Sequence, residues 1–165
     1  MKTLKIWVLC LLLGTVWDVC LARDLKQNKD TTTKVASVDG PYVLYDETGR
    51  MRVIHVDEPG VLQDRVYDEV PEGFKLNVVS QKGGHRFQVK LHPVERPLWK
   101  SGQREKTLII SDPHGDLESF VSVLRNNGVI GKNYKWKFGK NQVIVIGDVF
   151  DRGKDVLPIF WLMYK

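Results

Sequence analysis

The amino-acid sequence predicts an α/β protein preceded by a small antiparallel β-rich region. Three observations carry that expectation. Two apolar, β-branched runs, Thr107-Leu108-Ile109-Ile110 and Val143-Ile144-Val145-Ile146, each end in a cluster of carboxylates and glycines. Between them Leu117, Phe120, Val121 and Leu124 recur at i, i+3, i+4 and i+7, the spacing of one helix face. Upstream, from about Val35 to Leu91, apolar and polar residues alternate with the period of a half-buried strand.

The 165 residues allow one domain, or one domain with a small appendage. Hydrophobic content of 42% and charged content of 27% are ordinary for a globule, and no repeat or low-complexity tract is found. Residues 1–22 read as a secretory signal peptide. Lys2 and Lys5 make a basic start, Ile6 to Leu13 an apolar centre, and Cys20-Leu21-Ala22 places small residues at the −3 and −1 positions of a cleavage site. The apolar run falls short of the roughly 20 residues that span a bilayer. An uncleaved anchor is the alternative; a lipid anchor at Cys20 fits less well, because Val19 is larger than the residue expected there. Cleavage predicts an exported protein, periplasmic or secreted, with no stable membrane insertion. Both cysteines lie in this leader, so a chain starting at Arg23 forms no disulfide. Losing the leader removes two lysines and one aspartate and takes the net charge from +5 to +4. The charges are scattered, a solvated surface rather than a nucleic-acid module.

Residues 23–34 are polar and read as a linker. Residues 35–100 form the β-rich region. Tyr42 to Tyr45 and Met51 to Val56 flank Asp46-Glu47-Thr48-Gly49, a hairpin turn. Phe74, Leu76 and Val78, then Phe87, Val89 and Leu91, alternate with polar residues around Lys82-Gly83-Gly84-His85, a second hairpin. Pro93, Pro97 and Gly102 mark a boundary. Residues 106–165 change to a β-α-β-α rhythm. The strands are apolar throughout, as expected where both faces are covered. Asp116 is the expected N-cap of the first helix and Gly128 its stop. Tyr134, Trp136 and Phe138 suggest a further short strand. Asp155 is the expected cap of a last helix, Val156 to Tyr164, with Pro158 in its first turn. That helix is apolar nearly all round and needs burial, so Phe160, Trp161 and Met163 are expected to be left exposed, with poor folding as a consequence.

The chemistry lies past the two strand ends, in Asp112-Pro113-His114-Gly115-Asp116 and in Gly147-Asp148-Val149-Phe150-Asp151-Arg152-Gly153. Asp112 and His114 can converge on one ion, and Asp148 can add a second carboxylate. Such an oxygen-rich set with an imidazole suits manganese, iron or zinc. A carboxylate can also bridge two ions, and a two-metal site activates water for phosphoryl displacement. Arg152 offers a planar fork of donors that matches phosphate. Open α/β sheets bind ligands at this end of their strands. Alone, Asp-x-His is usually a polar loop and Asp-Arg-Gly a surface turn; their joint order and context argue for a site. His55, His85 and His92 read as surface or loop residues, Lys135 and Lys137 as a solvated strand face, and Trp136 and Phe138 as core packing.

These two motifs resemble the first two signature motifs of the calcineurin-like metallophosphoesterases. The second is similar to the phosphoprotein phosphatase branch. The Asp116-Leu117-Glu118 helix start, Gly128-Val129-Ile130-Gly131 and Trp136 resemble its bacterial, Shewanella-like phosphatases. The resemblance covers about Lys106 to Lys165 and implies an incomplete metallophosphoesterase-like α/β sandwich. It implies that Asp112 and His114 bind a first metal and that Asp148 bridges two divalent ions. It further implies that Arg152 holds the substrate phosphate, that Asp151 orients the catalytic site, and that a metal-bridging hydroxide attacks phosphorus. The expected substrate is a phosphomonoester, on a phosphoprotein or a small metabolite. Ser111 departs from a glycine common in the family. The family's later Asn-His motif and further metal-binding histidines have no counterpart before Lys165, so this stretch is expected to be a fragment, inactive or nearly so, that holds one metal weakly. The reading from another class is an exported, non-catalytic binding module that uses its β-rich region.

Overall fold

The computed structural model describes residues 37–82, 84–96, 100 and 102–165. The leader and the linker predicted above lie outside the described residues. No helix among the described residues is long and apolar enough to cross a membrane.

Strands β1 (Asp39–Tyr45), β2 (Met51–Val56) and β3 (Leu62–Tyr67) form an antiparallel sheet in that order. The β1–β2 turn is built as predicted. The Asp46 carboxylate accepts the N–H groups of Thr48 at 2.9 Å and Arg50 at 3.0 Å, and Gly49 takes a φ of +85° that side chains resist. Strand β3 was not predicted. It lies at the end of the sheet order, Leu62 and Val66 are both exposed, and an edge strand of that kind carries no inside–outside alternation to read. The second predicted hairpin is β4 (Lys75–Val79) with β5 (Arg86–Lys90), whose Leu76, Val78, Phe87 and Val89 turn inward.

Then comes a β-α-β-α run: β6 (Thr107–Ser111), α1 (Leu117–Asn126), β7 (Gln142–Ile146) and α2 (Val156–Tyr164). β6 and β7 pair in parallel, Ile109 beside Ile144. The Asp116 carboxylate caps α1 by accepting the Ser119 N–H at 3.2 Å, and Gly128 ends it at φ +70°. The Tyr134–Phe138 strand does not form. Tyr134 sits at φ +59°, outside the β region, and leaves a single bridge between Ile130 and Trp136. Phe138 packs against the core as expected, whereas Trp136 stays half exposed against its edge.

One hydrophobic core joins the β-rich segment to the β-α-β-α run. Met51, Val78 and Val89 from the first, and Leu117, Val121 and Ile159 from the second, are all but inaccessible to solvent and belong to one cluster. Two expectations need correction. The parallel strands are covered on one face, not two: Leu108, Ile110, Val143 and Val145 pack on the core, while Ile109, Ile144 and Ile146 are exposed. Among the described residues no layer packs on that second face. On α2, Phe160 and Met163 are exposed as expected, but Trp161 is buried, and its indole N–H donates to the Pro41 carbonyl at 2.8 Å. The β-rich segment supplies the cover that the local sequence did not reveal.

Candidate metal and phosphate site

The parallel pairing brings both motif loops to one edge. The ladder continues past β6, where the Asp112 N–H donates to Ile146 O at 3.1 Å, and the His114 N–H donates to Asp148 O at 3.1 Å. In return the Asp112 carboxylate accepts the Asp148 N–H at 2.9 Å. These crossed bonds hold Asp112 and His114 at φ +50° and +44°, a left-handed backbone that non-glycine residues adopt at a cost of about 1–3 kcal/mol each. Strain kept at such a place is typical of a functional loop. Gly115, Gly147 and Gly153 also have positive φ, and each is where the two loops touch. A Cβ on Gly147 would overlap the Asp112 carboxylate, and one on Gly153 the His114 carbonyl.

All five predicted site residues meet here. Asp112, His114 and Asp148 each present a ligand atom, and these atoms lie within 4.8 Å of one another. His114 Nδ1 lies 2.8 Å from Asp151 Oδ1, and His114 Nε2 lies 2.8 Å from an Arg152 Nη. A guanidinium only donates, so Nε2 accepts, and Nδ1–H is the proton donated to Asp151. Asp151 therefore stands behind the imidazole and fixes its tautomer, with Nε2 left as the basic nitrogen. That is the carboxylate–histidine arrangement found behind metal ligands. Arg152 caps this nitrogen, yet its side chain is 69% exposed and has room to turn outward.

The electrostatics fit a cation. The Asp148 N–H, and then the Ser111 side chain, hold the Asp112 carboxyl below its ordinary value; the His114 hydrogen bond does the same for Asp151. Because Asp112's folded-state pKa is depressed, its contribution to stability is present above its ordinary value of 3.8 and is lost as pH falls through the lower folded value. Urea midpoints measured from about pH 5 down to about pH 2 should therefore fall more steeply for the wild type than for Asp112→Asn.

His55, expected at the surface or in a loop, lies half-buried in β2 with no hydrogen-bond partner among the described residues for its buried Nδ1, and the other two histidines take partners elsewhere. His92 is exposed, stacked on Tyr164, with both ring nitrogens near carbonyl oxygens, which raises its pKa. His85 corrects the expectation of a surface turn residue. It is buried, with Nδ1 2.8 Å from the Tyr134 hydroxyl and Nε2 2.8 Å from Glu118. Asp155 also departs from expectation. Its carboxylate makes no capping bond to α2 but accepts the Gln81 N–H at 2.7 Å. Both contacts span long sequence separations, so no local pattern announces them.

No family model matches the chain. Over 61 residues, 37% of this chain, it is 36% identical to Shewanella-like protein phosphatase 2 of Arabidopsis thaliana. Over 49 residues, 29% of this chain, it is 49% identical to Shewanella-like protein phosphatase 1 of Plasmodium berghei (strain Anka). The matched parts are 16% and 13% of those proteins' lengths. The fold is similar to that of a cold-active protein tyrosine phosphatase, with a TM-score of 0.56 at 22% identity, over 79% of this chain and 37% of that one.

Proposed function

We propose that the Asp112–His114–Asp148 cluster is a divalent-metal site of a phosphomonoester hydrolase, and that Arg152 is its phosphate clamp. The observation that carries this is the convergence of two carboxylates and an oriented imidazole within 4.8 Å, beside an exposed arginine. The similarity to proteins named phosphatases supports it.

Two hard carboxylates with one imidazole suit manganese, iron or zinc. Bound there, the metals would supply Lewis acidity and a water activated for attack on phosphorus. Asp112 and His114 would hold the first ion, and Asp148 would reach a second. Asp151 accepts the Nδ1 proton of His114, so that Nε2 would be the nitrogen offered to an ion. Arg152 donates to that same nitrogen, and were His114 to hold a metal, the exposed guanidinium would be free to present its fork to two phosphate oxygens. Export through the N-terminal leader belongs to the same reading and would place the substrate outside the cytoplasm.

The test is Mn²⁺ titration followed by electron paramagnetic resonance, with and without inorganic phosphate, alongside hydrolysis of an aryl phosphate. Mn²⁺ should bind, and phosphate should tighten it in the wild type but not in Arg152→Ala. A chain that binds no Mn²⁺, Fe²⁺ or Zn²⁺ overturns the reading.

A further inference from the structure

The buried polar side chains among the described residues are Ser80, His85 and Asp155, and all three meet at one junction. Burying such groups is costly unless they are bonded, so their concentration marks a built contact. The β4–β5 turn is closed by Ser80, whose N–H donates to His85 O at 2.9 Å while its hydroxyl accepts the His85 N–H at 3.1 Å. The turn then reaches out twice. The Gln81 N–H donates to the Asp155 carboxylate, and the His85 ring bonds Glu118.

These two anchors are not arbitrary. Each site loop ends at a helix start: residues 112–115 run into α1, and residues 148–154 run into α2. Glu118 lies in the first turn of α1, and Asp155 stands at the head of α2. Asp155 also donates its backbone N–H to Gly115 O at 3.1 Å, the residue after His114. We infer that the β4–β5 turn is a clamp that positions the metal site, with Asp155 and the His85–Glu118 pair as its positioning residues. It holds both loops by their helix ends and so fixes His114 against Asp112 and Asp148. This gives the β-rich region a task, and it rests on the metal-site reading above. Two of the three ligands, Asp112 and His114, lie in left-handed backbone conformations that relax unless their surroundings hold them.

The test is Mn²⁺ affinity of the full chain, with Mn²⁺ broadening of the His114 ring signals in NMR as a site-specific readout. Asp155→Ala should weaken Mn²⁺ binding by up to about tenfold, the low end of what losing a direct partner of a ligand costs, because Asp155 acts through Gly115 and the Gln81 N–H and touches no ligand. Asp155→Asn, which keeps an oxygen to accept the Gln81 N–H, should bind close to wild type. Glu118 is exposed, so Glu118→Ala should fold whatever Asp155→Ala does, and it too should lose affinity and weaken the broadening at His114. Wild-type affinity in Glu118→Ala and in folded Asp155→Ala overturns the clamp while leaving the metal site standing. If Asp155→Ala does not fold, Glu118→Ala alone decides. A wild type that binds no Mn²⁺ overturns both.

Discussion

Asp148→Asn is expected to reduce Mn²⁺ affinity by more than the ~10–100-fold that loss of an outer partner costs, because it removes a ligand charge and not only an orienting bond. Asp148 projects from the loop after β7 into a cluster whose other charged ligand is Asp112. An amide in its place leaves one carboxylate and one imidazole, too little charge to offset the dehydration of a divalent ion. The fold should survive. The bonds that Asp148 gives the structure run through its backbone N–H and carbonyl, and asparagine keeps both. Titration and circular dichroism on the same sample therefore separate the effects. Unchanged Mn²⁺ affinity in a folded variant would show that the cluster is not the metal site. Asp112→Asn should likewise lose metal affinity with its ligand charge and keep the fold, since its amide oxygen can still accept the Asp148 N–H.

Gly153→Ala should destabilise the protein by roughly 2–5 kcal/mol, combining left-handed backbone strain with overpacking. Gly153 has φ +87°, and a Cβ there would overlap the His114 carbonyl and lie 2.9 Å from the Gly115 Cα. Both obstacles are backbone, so no side-chain rotation relieves them. The loops must part, and parting them moves His114 away from Asp148. Urea unfolding should show the loss of stability, and Mn²⁺ titration of the folded fraction should show weaker binding. Gly49→Ala is a useful control. It shares a positive φ but meets nothing within 4 Å, so it should cost the strain of about 1–2 kcal/mol alone and leave metal binding intact.

Much of the candidate site's geometry was legible because its information is local. A run of β-branched residues ends, glycines permit a sharp turn, and chemistry-bearing side chains follow at once. Asp112, His114, Asp148, Asp151 and Arg152 were named from two short motifs, and the parallel pairing of β6 and β7 brings both motifs to one edge. The roles of Asp151 and Arg152 in setting the His114 tautomer were not legible, since they depend on which nitrogen faces which partner across 37 and 38 residues.

The hairpins, the helices and their caps followed from periodicity and turn chemistry, which act over a few residues. Strand β3 escaped because an exposed edge strand satisfies its backbone on one side and leaves no apolar face to detect. Trp161 and His85 were misplaced for the opposite reason. Their burial comes from partners 120, 49 and 33 residues away, which no local window contains. Local sequence determined the elements of this protein and the residues at the strand ends. The tertiary structure decided which faces are covered, which nitrogen of His114 is offered, and that a distant hairpin turn braces the loops, because those outcomes depend on contacts that exist only once the chain has closed on itself.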